Sequence, residues 1–286
     1  MSAIRLVGLI GYPVGHSRSP AMQQAAFDAL GIAARYVLWE TAPDALAGRV
    51  ASLRAPEMLG ANVTIPYKTA VVPLLDDLAP SAERAGNAVN TIVRGENGRL
   101  IGHNTDVAGV LRTLDAHRAG DAGQSLLALG AGGAARAVWA AAHDRGMALR
   151  VAARHPDAAR EALVAAALAS VEVIPLDAPD AHARLADALA TSSVVVNATS
   201  VGMGDPLASP LSEASLAHLP PDALVFDMVY APPETALLRA ARALGLRTAT
   251  GLEMLLEQGA AAFQLWTGQD APVAAMRAAL GMNEES

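Results

Sequence analysis

Ser125-Leu126-Leu127-Ala128-Leu129-Gly130-Ala131-Gly132-Gly133-Ala134-Ala135 reads as a strand, a glycine turn and the start of a helix. It fits Gly-x-Gly-x-x-Ala. Glycines let the backbone turn tightly and approach a pyrophosphate, and the helix N-terminus offers free N–H groups and a positive dipole end. A glycine turn in an alanine-rich chain is a weak signal alone; the strand–turn–helix context strengthens it. Gly130, Ala131, Gly132, Gly133 and Ala134 are therefore candidate cofactor-binding residues.

Downstream, strand-like runs at 149–153, 171–175, 193–197, 224–227 and 247–249 are interleaved with helical runs at 134–145 and 156–168. Alternation of this kind predicts a parallel sheet with helices on both faces. The second strand ends in Val151-Ala152-Ala153-Arg154-His155. An NAD site usually carries a carboxylate about 20 residues past the first glycine, to accept from the ribose 2′-hydroxyl. Arg154 stands there instead, and a guanidinium suits a 2′-phosphate, so the expected cofactor is NADP. Asn197-Ala198-Thr199-Ser200 ends another strand. Ligands in such sheets bind beyond the carboxyl ends, which makes Asn197, Thr199 and Ser200 candidates for the nicotinamide-side ribose.

Upstream, residues 6–10, 35–39 and 60–64 read as strands, and 20–30 and 42–53 as helices. Pro20 falls in a first turn, where its missing N–H is harmless. Apolar runs at 88–93 and 99–102 flank Glu96-Asn97-Gly98, a hairpin signal. A helix is expected over 107–117, then a polar linker over 118–124. Four polar clusters stand where strands feed turns or helices: His16-Ser17-Arg18-Ser19-Pro20, Asn62 to Lys68, Asn87 to Thr91, and Asn104-Thr105-Asp106. Such hydroxyls and amides suit a small ligand rich in hydroxyl groups. Lys68 and Asp106 are the ionisable pair among them suited to joint proton transfer. Each cluster alone reads equally as a cap or turn.

The chain's 286 residues fit two domains. With 52% hydrophobic but 3% aromatic residues, the core is expected to be Ala, Leu and Val. The net charge of −7 and the lack of a Lys/Arg run argue against nucleic acid and anionic membrane as partners, though not against an anionic small molecule. The absence of cysteine excludes disulfides, thiolate metal sites and a cysteine nucleophile. The histidines show no ligand spacing, so no metal is expected. No apolar run reaches the roughly 18 residues of a bilayer span, and no export signal is read at the start. The expected location is the cytoplasm.

The motifs together resemble the shikimate dehydrogenase family over essentially the whole length. The resemblance is carried by residues 11–20, 60–68, 88–91, 102–106, 130–136, 197–203, 227–230, 251–259 and 266–268. It implies an α/β fold: an N-terminal α/β substrate domain (1–106) completed by C-terminal helices (252–286), and a Rossmann-type doubly wound parallel sheet (107–251), with the active site in the cleft between them. It implies reversible NADPH-dependent reduction of 3-dehydroshikimate to shikimate, on the route to aromatic amino acids, by a monomer or homodimer. Carried over by position, Ser17 and Ser19 hold the substrate carboxylate. Thr64, Asn90 and Gln258, with Asn62, bind its hydroxyls, and Tyr230 lies at the same pocket. Lys68 and Asp106 are the catalytic pair, and Gly251 falls on the cofactor side. The chain departs from the family pattern at Gln23-Gln24, where His-Asn is usual, at Asn87, where Gly is common, and at Ala153-Arg154-His155, where Asn-Arg-Thr is usual. Relatives acting on quinate or an aminoshikimate stay open as alternatives. A catalytically silent cofactor sensor would need neither Lys68 nor Asp106.

Overall fold

Strands and helices alternate almost from the first described residue. The computed structural model describes residues 4–282; the expected domain segments at 1–3 and 283–286 lie outside the described residues. The first elements are β1 (Arg5–Gly11), α1 (Ser19–Ala29), β2 (Ala34–Glu40), α2 (Leu46–Ser52), β3 (Met58–Val63), β4 (Asp77–Leu78), α3 (Pro80–Arg84), β5 (Thr91–Arg94), β6 (Leu100–His103) and α4 (Asp106–Ala116). Then follow β7 (Ser125–Leu129), α5 (Gly133–Asp144), β8 (Ala148–Ala153), α6 (Pro156–Ala165), β9 (Glu172–Pro175), α7 (Ala181–Ala190), β10 (Val194–Asn197), α8 (Glu213–Leu216), β11 (Leu224–Asp227), α9 (Ala236–Ala243), β12 (Arg247–Ala249), α10 (Gly251–Thr267) and α11 (Val273–Ala279). The chain divides into two compact units. One runs to Gly109 and resumes at Leu256; the other is Val110–Leu255. The divisions fall inside α4 and α10.

The first unit holds a mixed sheet in the order β2-β1-β3-β5-β6-β4. β1 pairs parallel with β2 and β3, whereas β3–β5 and β5–β6 are antiparallel. From β1 the chain crosses through α1 to β2 on one side, then through α2 to β3 on the other. The strand order therefore reverses at β1/β3, and a crevice forms beyond their carboxyl ends. The strands approach so closely there that a Cβ on Gly11 would stand 2.4 Å from Thr64 Cγ2. α10 and α11 complete this unit's core: the Phe27 and Phe263 rings pack tilted with centroids 5.2 Å apart, Trp266 Nε1 donates to the Ile92 carbonyl at 3.1 Å, and Met276 of α11 is fully buried.

The second unit holds a parallel sheet in the order β12-β11-β10-β7-β8-β9. The chain builds outward from β7 to β9, returns, and builds outward from β10 to β12. This is the dinucleotide-fold order, with its switch point between β7 and β10. Leu126, Leu127, Val194, Val195 and Val225 are fully buried, as strands covered on both faces require.

The hairpin expected at Glu96-Asn97-Gly98 joins β5 and β6. Its turn is longer than two residues, because Gly95 N bonds to Arg99 O and both Asn97 (φ 57°) and Gly98 (φ 75°) are left-handed. Ala88 to Asn90, expected to begin that strand, is instead a loop bonded to its neighbours through Val89 N→Lys68 O (2.7 Å) and Asn90 N→His103 O (3.1 Å). The helix expected to reach 168 ends at Ala165, two residues before left-handed Ala167.

Candidate active site

Lys68 follows β3 and Asp106 opens α4. Lys68 Nζ lies 2.5 Å from Asp106 Oδ2, and the side chains are only 14% and 7% exposed, so the pair is mostly buried yet reachable. The other carboxylate oxygen, Oδ1, accepts from Asn90 Nδ2 at 2.8 Å. Asp106 also sits in the first turn of α4, where the N-terminal end of the dipole favours a negative charge. Its turn is fixed by Asn104, whose Oδ1 accepts from Val107 N (3.2 Å) while its Nδ2 donates to Ala88 O (2.7 Å). A lysine held in this way presents one charged, directed donor.

Around the pair, Asn90 Nδ2 lies 3.0 Å from Thr105 Oγ1 and 3.5 Å from Gln258 Oε1. Thr64 is half-buried beyond β3, its N–H bonded to Ile10 O at 2.9 Å. Ser17 and Ser19 follow β1; the Ser17 hydroxyl accepts from Ser19 N at 3.2 Å, a local capping contact, and Ser19 is buried at the start of α1. Thus Ser17, Ser19, Thr64, Lys68, Asn90, Asp106 and Gln258 all belong to the first unit. Asn62 belongs there too, but its polar atoms are spent within the protein: Oδ1 accepts from Tyr36 (2.8 Å), and Nδ2 donates to Asn90 O (3.2 Å) and Thr91 Oγ1 (3.0 Å). Tyr230, half-buried after β11, belongs to the second unit.

Two of the departures from the family pattern, at Gln23-Gln24 and at Asn87, have local explanations. Asn87 has φ 60°, a left-handed position where glycine is easiest and asparagine is tolerated. Gln24 joins α1 to β2, its Oε1 accepting from Tyr36 N (3.1 Å) and its Nε2 donating to Ala34 O (3.2 Å). Gln23, fully buried, donates to Gly259 O at 2.9 Å and so joins α1 to α10 beside Gln258.

In the second unit Gly130 ends β7 with φ 104°, and a Cβ there would meet Thr199 Cγ2 at 2.9 Å. The glycine turn and the Asn197–Ser200 loop are thus neighbours at the switch point. A Cβ on Gly132 would meet nothing within 4 Å, and the N-cap of α5 there makes no side-chain capping bond. The first amides of α5 are left to an outside acceptor, which is the cradle a pyrophosphate requires. Arg154, exposed after β8, makes no hydrogen bond or ion pair among the described residues. Arg160, by contrast, is paired with Asp157 at 2.8 Å. Asn197 is engaged internally, donating to Val201 O (3.2 Å) and Asp227 Oδ1 (2.9 Å) and accepting from Thr199 Oγ1 (2.7 Å), so it shapes the loop that carries Thr199 and Ser200. Gly251 abuts the turn after β11; a Cβ there would lie 2.5 Å from Met228 O.

Asp227 is a residue whose role was not foreseen. Fully buried, it braces the ends of two strands and a helix, accepting from Asn197, Val229 N (3.0 Å) and Thr235 Oγ1 (2.6 Å). Burial pushes its carboxyl up, against these three donors. Glu253 joins α10 to α4. Burial raises its carboxyl, but the His117 contact at 2.5 Å and the bonds from Thr250 outweigh that and hold it below the usual carboxylate range. Burial pushes the His103 imidazole down.

Known proteins show the same organisation. The profile of the shikimate dehydrogenase substrate binding domain matches residues 9–92, and that of the shikimate 5′-dehydrogenase C-terminal domain matches 251–280. The chain is 46% identical to the shikimate dehydrogenase (NADP+) of Halorubrum lacusprofundi over 278 residues, 96% of this chain and 97% of that one. It is similar to the crystal structure of shikimate 5-dehydrogenase from Thermus thermophilus in complex with NADP(H) and shikimate: TM-score 0.84, 38% identity, 97% of this chain and 99% of that one. It is also similar to quinate dehydrogenase from Corynebacterium glutamicum in complex with NAD, with TM-score 0.85 and 33% identity over 98% of this chain and 99% of that one. On sequence and on fold, the chain belongs to the shikimate dehydrogenase family.

Proposed function

We propose that this protein catalyses the reversible NADPH-dependent reduction of 3-dehydroshikimate to shikimate. The observation that carries the reading is the Lys68–Asp106 pair, directed by Asn90 and set among hydroxyls and amides. NADPH, when bound, supplies the hydride. As the ketone is reduced, negative charge grows on its oxygen. The Lys68 ammonium stabilises that charge and delivers the proton to the oxygen. Asp106 aims the ammonium, and Asn90 prevents the carboxylate from turning away. Ser17 and Ser19 hold the substrate carboxylate, while Thr64, Asn90 and Gln258 read the ring hydroxyls.

The first unit thus serves the substrate and the second the cofactor. The α5 amides and the glycine turn hold the pyrophosphate, and Arg154 the 2′-phosphate. The Asn197–Ser200 loop and Gly251 support the nicotinamide side. One chain supplies every residue named, so a monomer or a homodimer serves equally. No helix among the described residues is long and apolar enough to cross a membrane. We infer that the enzyme works in the cytoplasm, where NADPH is available.

Steady-state assays with shikimate and quinate, each with NADP and NAD, test the reading. Quinate carries an extra hydroxyl on the carbon that bears the carboxylate, beside Ser17 and Ser19. Two full side chains there crowd it, so shikimate with NADP is expected to be preferred by at least about tenfold, roughly 1.4 kcal/mol of transition-state binding. Quinate used as well as shikimate, or neither turned over, overturns the assignment.

A further inference from the structure

Beneath the Lys68–Asp106 pair, a chain of hydrogen bonds runs back through the first unit to β2. Its direction follows from two amides whose orientation the backbone fixes. Asn62 Nδ2 lies 3.2 Å from the Asn90 carbonyl, which can only accept. The opposite end of that amide is therefore its oxygen, and it accepts from the Tyr36 hydroxyl at 2.8 Å. Likewise Asn90 Oδ1 accepts from the Thr105 N–H at 2.7 Å, which can only donate. The Asn90 nitrogen is then the end that meets Asp106 Oδ1 at 2.8 Å. Thr91 stands between the two amides. Its hydroxyl accepts from Asn62 Nδ2 at 3.0 Å and has two acceptors in reach of its own hydrogen, Asn90 Oδ1 at 3.1 Å and the Thr105 hydroxyl at 3.0 Å, which itself stands 3.1 Å from Asn90 Oδ1, so both routes lead to that amide. Thr91 is fully buried, and Asn62 and Asn90 are 5% and 3% exposed, so water does not compete for these partners.

We propose that Thr91 and Tyr36 are positioning residues for catalysis, acting through Asn62 and Asn90 to hold Asp106, and hence the Lys68 ammonium, in the reactive orientation. The proposal rests on the reading of Lys68 and Asp106 as the catalytic pair. Neither Thr91 nor Tyr36 touches substrate. Tyr36 donates to the Asn62 amide, and Thr91 donates to the Asn90 amide directly or by way of the Thr105 hydroxyl, while the backbone fixes which end of each amide faces which partner. Networks of buried, fully satisfied groups fix geometry more firmly than any single bond. A carboxylate free to rotate would let the ammonium wander from the ketone oxygen, and small misplacements of catalytic groups are costly.

The test uses the full chain and five variants: Thr91→Val, which keeps the shape and removes the hydroxyl; Thr91→Ser, which keeps the hydroxyl; Tyr36→Phe; Asp106→Asn; and Thr91→Val combined with Asp106→Asn. Loss of one net hydrogen bond from the network predicts about a tenfold fall in kcat for Thr91→Val and about a threefold fall for Tyr36→Phe. KM for NADP is expected to be unchanged. Thr91→Ser should stay within about threefold of wild type, because it keeps the donor. In the Asp106→Asn background Thr91→Val should cost less than about twofold more, since residues acting as a unit are non-additive. If Thr91→Val does not fold, Tyr36→Phe carries the same comparison. The proposal is overturned if Thr91→Val and Tyr36→Phe melt like wild type and keep wild-type kcat. It is equally overturned if Thr91→Ser loses as much as Thr91→Val, or if the Thr91→Val loss persists in full without Asp106. A Lys68→Ala enzyme close to wild-type turnover would instead remove the catalytic reading on which the proposal rests.

Discussion

At the scale of single residues, two substitutions separate catalysis from binding. In the proposed reaction Lys68 offers a donor that matters most when the ketone oxygen gains charge. Lys68→Ala is therefore expected to cut kcat by at least about a hundredfold while KM for shikimate moves by only a few-fold, because transition-state contacts are lost from the rate. Turnover within about tenfold of wild type would show that another group carries the proton. Arg154 is the unpartnered cation after β8, whereas Arg160 is already held by Asp157. A charged hydrogen bond contributes about 1.5–3 kcal/mol, or roughly tenfold to a hundredfold in preference. Arg154→Asp should therefore lower the ratio of NADP to NAD efficiency by a factor in that range, since a carboxylate repels a 2′-phosphate and accepts from a 2′-hydroxyl. An unchanged ratio would mean that Arg154 points to solvent in the complex. The residues proposed to carry chemistry stand out in the sequence because they lie in short polar clusters at strand ends. Tyr36 and Thr91 were not read as contributors, because a tyrosine in a strand and a threonine after an asparagine look like ordinary core and turn residues. Their role exists only once β2, β3 and β5 lie in one sheet.

At the scale of elements, the second sheet was the easier to read. Its central strands are buried on both faces and appear as short apolar runs, such as Val194-Val195-Val196 and Leu224-Val225-Phe226. The two-residue β4 and five-residue α3 left no periodic signal, being too short for one and held by neighbours. α7 escaped notice because only Ala181, Ala188 and Leu189 of its ten residues are buried. In the first sheet the antiparallel β5–β6 pair was legible from its hairpin turn, whereas the antiparallel pairing of β3 with β5 was not, since no short turn joins those strands and their direction is set by pairing and not by composition. The contact between α4 and α10 gives a pH-dependent prediction. His117, Thr250 and Glu253 join the end of one helix to the start of the other. The folded state holds the Glu253 carboxyl below its ordinary value of 4.5, so it binds fewer protons there than the unfolded chain does. The stabilisation is present above that pH and is lost as pH falls through the lowered value. Glu253→Gln should reduce Tm at pH 7, and the gap from wild type should narrow as pH falls below 4.5 and close once the pH is under the lowered value. A gap of constant size across that range would mean the carboxylate charge contributes nothing.

At the scale of the whole molecule, the two units differ in how the chain supplies them. The second unit is one continuous segment, Val110–Leu255, whereas the first is assembled from both ends of the chain. The second unit's core is closed by its own elements: Leu127, Val195, Leu216, Val225, Leu237 and Leu238 form one buried cluster drawn from β7, β10, α8, β11 and α9. The first unit's core needs the late helices. Phe27 meets Phe263, Gln23 meets Gly259, Trp266 meets Ile92, and Met276 is fully buried. Without α10 and α11, fully buried Met22 and Phe27 would face water, at about 1.5–3 kcal/mol for each such side chain exposed. That is a large share of the roughly 5–15 kcal/mol that holds a domain together. A fragment spanning 106–257, which keeps whole turns of α4 and α10, is therefore expected to fold alone, since a domain of about 150 residues buries roughly two-thirds of its unfolded surface. It should melt cooperatively and bind NADP, while showing no turnover and no affinity for shikimate. A fragment ending at residue 105 should give no cooperative transition by itself and should gain one when residues 256–286 are supplied. Calorimetry of each fragment, with NADP titrated into the first, measures both expectations. A 106–257 fragment that melts without cooperativity, or an N-terminal fragment that folds unaided, would show that the cores of the two units depend on one another in a way their separate contacts do not reveal.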